Sequence, residues 1–376
     1  MRIRIITDDF TSALDGTACF AEHGWETAVL IRPDSAASAA SAASADVASL
    51  DTDSREHAPT LEHDALANAA HAWRDADVLT VQFDSTLRGR VARDCVTALA
   101  ASGRRKLVIA PAFPSAGRTV ERGCVRVDGV PVHDTAFGRD PTLPVRESSI
   151  PALFGAHRIE VKVARDAAQA RALLDMQDVV VVDAHTEAEL DVIAATFAGE
   201  RDVLLAGSTG LLRALARVLP RPQGAPDSRD GGCDHAAASV MPARRPWLVV
   251  GSLNPRSRRQ LGIARAQCRI DVLATEETRL PAGAAAQAAL GDLVPRVTHA
   301  LRSGACDGLV VTGGETARSI IDALPAVSLR VCCEIMPGVP LVEVKTATGT
   351  FSMITKAGGF GEDDALVTCI NILIGA

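Results

Sequence analysis

Along the chain, short apolar runs rich in β-branched residues alternate with stretches whose apolar positions recur at helical spacing. "RIRIIT" leads into "TSALDGTACFAEHG" and on to "TAVLI", and further along come "VLTVQF", "KLVIAPA", "VVVVDA" and "VLLAGS". Strand-sized runs separated by helix-sized segments predict a largely parallel sheet covered by helices on both faces. The rhythm fails in "PRPQGAPDSRDGGCDHAAASVMPARRP", which gathers proline, glycine and charge without periodicity, the composition of a domain boundary. It then restarts: "WLVVGSLN" runs into "PRSRRQLGIARAQ", "GLVVTGGE" into "TARSIIDAL", and "MITKAGGFGEDD" into a closing apolar helix. The expected layout is α/β in two domains, residues 1–220 and 247–376 joined by a linker at 221–246, each with a mostly parallel sheet flanked by helices. The repetitive "SAASAASAASADVASLD" from Ser35 reads equally as a solvated loop insertion or a weak helix.

Composition narrows the class. A chain of 376 residues with 47% hydrophobic content can bury a large core, and its length suits two domains. No apolar run approaches the ~20 residues that span a bilayer, and "MRIRIITDDF" enters strand alternation rather than a signal-peptide pattern, so no membrane partner and a cytoplasmic location are expected. A formal net charge of -7, 3% aromatic residues and no tyrosine argue against nucleic acid as a partner. The nine cysteines contain no C-x-x-C pair, so most are expected to be reduced and packed in cores. Cys233 and His235 are close in sequence but lack two further ligands at metal-site spacing.

In open α/β sheets, ligands bind where strand ends give way to loops and helix starts. The second domain has three such junctions, "VVGSLNP", "VVTGGETA" and "TKAGGFGEDD". Glycine lets backbone N–H groups approach phosphate oxygens, and a helix N-terminus adds about half a positive charge. Gly313, Gly314, Gly358, Gly359 and Gly361 therefore form a candidate anion cradle, with Lys356 placed to reach the same phosphates as a point charge. Neither G-x-x-x-x-G-K-[ST] nor G-x-G-x-x-G occurs, so the cradle is neither a P-loop nor a dinucleotide fingerprint. Glu315 can serve a magnesium ion or simply the positive end of a helix, whereas Asp363 and Asp364 read as helix-end residues.

The first domain carries a different chemistry. Asp8 and Asp9 follow the first strand, where one can accept a proton from a substrate hydroxyl; helix capping by Asp9 or Thr11 is the structural alternative. "LDTDSRE" contributes Ser54 and Arg55, with Asp53 and Glu56 as adjacent acids, and "VQFDSTLRG" contributes Asp84, Ser85, Thr86 and Arg88. Arginine's fork suits a carboxylate held at two points. "APAFPSAGRTVERG" adds a proline-containing loop with Arg118. Carboxylates, hydroxyls and arginines in one domain and glycine turns in the other are the division expected of a two-domain kinase for a small anionic polyol, with the active site in the interdomain cleft.

Taken in order, "DDFTSALD", "DSTLRG", "PAFPSAGR", "GSLN", "GGETA" and "KAGGFG" resemble the four-carbon acid sugar kinase family, which includes kinases of threonate, erythronate and 3-oxo-tetronate. The resemblance runs from the first strand to the last helix. It implies an N-terminal domain that binds a sugar acid, with Asp9, Arg55 and the Asp84 to Arg88 segment on the substrate side. It implies a C-terminal domain that binds ATP through Ser252, the Gly313 to Thr316 turn and Gly359, with Mg2+ neutralising the transferring group. Asp9 and Asp84 are the candidate catalytic carboxylates, and a homodimer is compatible with this reading. Ser12 stands where the family's opening has glycine, and Val81, Gln82 and Phe83 stand where lysines are usual. The rival readings are a non-catalytic sugar-acid-binding relative and, on the α/β pattern alone, an NAD-dependent oxidoreductase.

Overall fold

The computed structural model describes residues 1–31, 42–55, 64–140, 142–222, 240–275, 282–324 and 328–375. Residues 35–41 of the small-residue stretch, Glu56, and the linker segment carrying Cys233 and His235 lie outside the described residues. The chain divides into two compact units, Met1–Glu26 with Ser44–Ala225, and Thr27–Ala43 with Pro226–Ala376.

The first unit is built on β1 (Ile3–Thr7), β3 (Val47–Asp51), β4 (Val78–Gln82), β5 (Lys106–Ala110), β9 (Lys162–Ala164), β10 (Val179–Val182) and β11 (Val203–Gly207). Their order is β3-β1-β4-β11-β5-β10-β9, and every pairing is parallel. β1, β4, β10 and β11 are buried at every position, which requires cover on both faces and explains why they read as continuous apolar runs. The cover comes from α1 (Phe10–Ala21), α2 (Ala65–Ala72), α3 (Val91–Ser102), α4 (Ile150–Gly155), α5 (Ala167–Leu174), α6 (Glu187–Phe197) and α7 (Thr209–Val218). Most start at a side-chain cap, and α6 has a full capping box between Thr186 and Glu189.

A small antiparallel sheet of β6 (Arg118–Glu121), β7 (Cys124–Val127) and β8 (Val130–Pro131) stands on the segment expected to be a proline-containing loop. Its connections are Arg122-Gly123 and Asp128-Gly129, all four residues at positive φ, the pattern of two-residue hairpin turns. The Asp-Gly pair was the signal available in the sequence.

The second unit holds β2 (Thr27–Leu30), β12 (Pro246–Val250), β13 (Asp271–Ala274), β14 (Gly308–Thr312), β15 (Ser328–Met336), β16 (Val339–Thr346) and β17 (Gly349–Lys356). Its helices are α8 (Pro255–Gln267), α9 (Ala282–Ser303), α10 (Gly314–Asp322) and α11 (Ala365–Ile374). β12 pairs with β13 and β14, and β14 with β17, in parallel; β17-β16-β15 is an antiparallel meander, and β2 adds antiparallel to β15. The meander follows from its short connections, since parallel neighbours need a long crossover. β2 belongs to this unit although the sequence reading kept residues 1–220 together: Val29 pairs with Leu329, and Thr27 Oγ1 donates to the Val331 carbonyl at 2.8 Å. No feature local to "TAVLI" identifies a partner some 300 residues away.

In both units the strand ends that matter are level. Thr7 of β1 lies opposite Asp51 of β3 and Gln82 of β4, so the loops carrying Asp8, Ser54 and Asp84 leave the sheet side by side. Val250, Thr312 and Lys356 are likewise in register, so the three glycine-bearing junctions of the second unit emerge together. Each set surrounds a point where the chain steps from one side of a strand to the other, the usual ligand position in such sheets. Most cysteines are free thiols, and Cys333 is disulfide-bonded. Among the described residues no helix is long and apolar enough to cross a membrane.

Close packing of α1 on the sheet depends on Gly16, where a Cβ would collide with the Gln82 amide and Leu212. Gly16→Ala is expected to lower the melting temperature, although alanine is the better helix former by about 1 kcal/mol. Gly262→Ala in α8, where a Cβ meets nothing within 4 Å, is expected to stabilise by roughly 0.5–1 kcal/mol. Calorimetric melts of the two variants against the parent check both signs, and a stabilising Gly16→Ala would show that the helix can lift off at no cost.

Candidate functional site

In the first unit the centre is the Arg55 guanidinium. Its Nε and Nη2 donate to the two oxygens of Asp8 at 2.9 and 2.7 Å, its Nη1 donates to Asp9 Oδ2, and Nη2 also reaches Ser12 Oγ at 2.9 Å. Of the adjacent acids in the sequence, Asp53 sits at φ 54 with its N–H on Asp51, and Glu56 lies outside the described residues. Ser12, where the family pattern has glycine, thus adds an acceptor to this arginine. Asp9 has two roles at once, since its Oδ1 also caps α1 through the Ser12 N–H at 2.7 Å. Ser54 is buried and donates to the buried Asp94 at 2.9 Å.

The turn after β4 closes on itself. Asp84 Oδ2 accepts from Arg88 Nε at 2.6 Å and from Thr86 Oγ1, while Ser85 is half-buried beside them. Leu87 is held at φ 64, a conformation costly for a branched side chain and typical of turns fixed for a purpose. Gly89, at φ 92, lies against Arg55: a Cβ there would sit 3.2 Å from Arg55 Cγ and 3.4 Å from Asp8 Oδ2. Arg88 also faces Asp140 at 3.9 Å and stacks 5.8 Å from the centre of the Phe137 ring. Arg118 stacks on the same ring at 5.9 Å. It donates to the Ala116 carbonyl, its Nε is buried without an acceptor, and it has no carboxylate in ion-pair range among the described residues.

Three carboxylates therefore face two paired guanidiniums. Burial pulls Arg55 down, yet Asp8 and Asp9 outweigh it and hold the guanidinium well above its ordinary value. Burial pushes Asp84 up, but Arg88 and Arg55 prevail and hold its carboxyl well below the usual range. The surplus falls on Asp8, which burial pushes up to about 7 against the pull of Arg55. Asp9 is the most open of the three, with 26% of its side chain exposed against 5% for Asp8 and 12% for Asp84.

In the second unit the three junctions meet. A Cβ on Gly251 would strike Thr316, one on Gly358 would strike Ser252 Oγ, and one on Gly313 would lie 3.1 Å from Thr316 Oγ1 and 3.5 Å from Ser252 N. Gly359 lies beside Asn254, its built Cβ 3.7 Å from Nδ2. Gly313, at φ 102, is the N-cap of α10 and leaves Gly314 and Glu315 in the exposed or half-exposed first turn, with Thr316 buried behind them. Lys356 ends β17 in register with this group, but its ammonium is buried and points back into the turn, donating to the carbonyls of Ala357 at 3.0 Å, Gly358 at 3.4 Å and Phe360 at 3.1 Å. It is not placed as an outward point charge. Burial lowers it to about 8. Asp363 pairs with Arg259 at 3.5 Å, and Asp364 precedes α11 without a side-chain cap bond.

Sequence reasoning passed over Gly251, Asn254, Ser257 and Gln260. Asn254-Pro255 is a legible helix start, with asparagine as the cap and proline at the first position. Gln260 had no signal, because α8 reads as polar on every side and nothing marks which polar residue turns inward. Among the described residues no group of three or more His, Cys, Asp or Glu is placed to hold a metal ion. A divalent cation carried by phosphates needs only one or two carboxylates. Exposed Glu315, in the turn that follows Gly313, fits that requirement.

Comparison with known proteins assigns a domain type to each part of the chain. Residues 3–215 match a sugar-binding N-terminal domain, and residues 272–366 match a nucleotide-binding C-terminal domain. The chain is 32% identical over 394 residues to the D-threonate kinase of Bordetella bronchiseptica, covering 97% of this chain and 96% of that protein. A crystal structure from Salmonella typhimurium LT2 shares the fold with a TM-score of 0.77 at 20% identity, covering 98% of each chain. A Bordetella bronchiseptica chain crystallised with bound citrate as a domain-swapped dimer is 27% identical, with a TM-score of 0.52, covering 100% of this chain and 99% of that one.

The buried pair supports a pH-dependent prediction. Asp8 titrates near 7 in the folded state against an ordinary 3.8, so between about pH 4 and 7 the folded chain keeps a proton that the unfolded chain has released. Its contribution to stability therefore falls as pH rises through that window. Arg55→Ala leaves the carboxyl buried and unpaired, which is expected to cost about 3–5 kcal/mol and to extend the fall above pH 7. Urea unfolding at pH 5, 7 and 9 checks this, and a loss independent of pH would refute the buried-carboxyl account.

Proposed function

The chain belongs to the four-carbon acid sugar kinase family, and from that membership we propose that this ATP-dependent sugar acid kinase uses a threonate-type acid bound by the first unit and ATP bound by the second. The observation that carries the reading is the set of level strand ends in the second unit, where Gly313 and Gly358 meet Ser252 and Thr316 around a helix start, with Gly359 beside Asn254. Backbone N–H groups and a helix terminus together form an anion site without a lysine in the first rank. D-threonate is the first substrate to test because the relative at 32% identity is named for it.

Asp9 is the proposed proton acceptor. Asp84 is locked by Arg88 and Thr86 and held strongly acidic, and Asp8 has both oxygens on Arg55, whereas Asp9 is the most accessible carboxylate of the cluster. As the substrate oxygen bonds to the γ-phosphorus and the bond to the ADP oxygen breaks, Asp9 takes the hydroxyl proton. Little covalent chemistry is asked of the protein, so alignment and charge stabilisation carry most of the rate. Mg2+ would supply charge neutralisation on the phosphates, with Glu315 the residue to hold it.

The substrate carboxylate is assigned to Arg118 with the open face of Arg88. Arg55 is already enclosed by Asp8, Asp9 and Ser12, while Arg118 lacks an acidic partner among the described residues and stands with Arg88 over Phe137. A homodimer is supported by the domain-swapped dimer of the Bordetella bronchiseptica chain. A cytoplasmic setting suits an ATP-dependent enzyme with mostly free thiols.

ADP release is to be followed with ATP, Mg2+ and a panel of threonate and erythronate stereoisomers, 3-oxo-tetronate and a neutral tetritol. Turnover of an acid with negligible turnover of the tetritol is expected; no turnover of any acid would favour a binding-only relative. Asp9→Asn is expected to lower kcat by about 10²–10⁴-fold. Arg118→Ala is expected to cost the acid about 2–5 kcal/mol in kcat/KM. Unchanged discrimination between acid and tetritol in Arg118→Ala would move carboxylate recognition elsewhere.

A further inference from the structure

The glycine turn after β17 is gripped from beneath. The Ala357 carbonyl accepts from Lys356 Nζ, and the Gly358 carbonyl accepts from Ser257 Oγ at 2.8 Å as well as from Lys356. The Phe360 carbonyl accepts from Lys356 and from Gln260 Nε2, both at 3.1 Å. Gln260 Nε2 also reaches the carbonyls of Gly361 at 3.2 Å and Glu362 at 2.6 Å, and Arg256 Nη1 adds a bond to Gly361 at 3.3 Å. Every carbonyl from Ala357 to Glu362 except that of Gly359 is thereby drawn toward α8 and the base of β17.

Peptide geometry converts this into a statement about donors. Among the described residues there is no cis peptide bond, and in a planar trans peptide the carbonyl of one residue and the N–H of the next point in opposite directions. Carbonyls held inward at Ala357, Gly358, Phe360, Gly361 and Glu362 turn the N–H groups of Gly358, Gly359, Gly361, Glu362 and Asp363 away from the clamp. None of those N–H groups has an acceptor among the described residues. Glycine at 358, 359 and 361 keeps side chains out of their way.

We propose that Gln260, Ser257 and Lys356 are positioning residues for the nucleotide phosphates, holding the carbonyls of the glycine turn down so that its N–H groups form the anion cradle. The inference rests on the reading of the second unit as the nucleotide site and adds which side chains set the cradle's shape. Gln260 is the clearest case. It is fully buried, its amide nitrogen serves carbonyls of three successive residues, and its Oε1 is left without a partner. An orphaned buried oxygen is a destabilising feature, so stability alone does not call for glutamine here. Each of the three carbonyls also has a second donor, from Lys356, Arg256 or the Ala365 N–H. Removing the amide should therefore leave the fold intact while relaxing the turn.

Gln260→Met in the full chain tests this, with affinities for ADP and for adenosine measured by titration calorimetry and the ligand-free melting temperature measured in parallel. The expected result is at least a tenfold weaker ADP complex, unchanged adenosine affinity and a melting temperature close to the parent's. Ser257→Ala, which removes one donor to Gly358, is expected to weaken ADP several-fold in the same selective way and serves if the first variant does not fold. Parent-like ADP affinity in both folded variants overturns the positioning role while leaving the nucleotide site standing. Equal losses for ADP and adenosine also overturn it, because the turn would then be shaping the pocket in general. Absence of ADP binding by the parent would overturn the nucleotide reading and this inference together.

Discussion

Parallel strands that stop on the same rung are the constraint on which both sites depend. Thr7, Asp51 and Gln82 are mutual register partners in the first unit, and Val250, Thr312 and Lys356 are in the second. Strand spacing is about 4.8 Å, so residues one or two positions beyond level ends are already within reach of one another. A shift of one residue in any of these pairings would turn that strand's side chains to the opposite covered face and take one of the three loops off the shared rung. The continuous burial of the strands is what fixes that register, through helices packed on both faces.

On this common scaffold the two units handle charge in opposite ways. The first gathers ionised side chains and settles them against each other: Arg55 with Asp8 and Asp9, Arg88 with Asp84. Burial is the chief cause of the raised titration of Asp8, working against the pull of Arg55, with the neighbouring charges of Asp9 and Asp84 adding to it. The second unit brings together glycine-bearing turns and a helix start, and so offers backbone dipoles. Its buried cation among the described residues, Lys356, binds carbonyl oxygens. A sugar acid with several hydroxyls calls for many directional partners, whereas a phosphate chain needs a dense field of donors with room to approach; each unit suits one of these.

Much of this was legible along the chain. The strand and helix rhythm, the two-part division of chemistry and the glycine-bearing junctions are local patterns, and local patterns survive in a one-dimensional reading. The roles of the arginines were not legible, since Arg55 sits between Asp53 and Glu56 in the sequence but finds Asp8 and Asp9 across the sheet. Arg118 looked secondary, and only the shared Phe137 ring sets it beside Arg88. The antiparallel placing of β2 on β15 joins segments so far apart that no local preference could select it.

By itself, then, the sequence determined where strands end, where glycine frees the backbone, and which residue types stand at each end, because periodicity, turn chemistry and capping act over a few residues. Tertiary structure decided direction. Lys356 is at the mouth of the sheet on either account, yet whether its ammonium faces out toward an anion or back onto the carbonyls of Ala357, Gly358 and Phe360 depends on how the following turn folds over it. Gln260 is one polar residue among many in α8 until burial makes its amide a donor to three successive carbonyls. Side-chain orientation is settled by what is packed against it, and that information lies in contacts between distant segments rather than in any stretch of the chain.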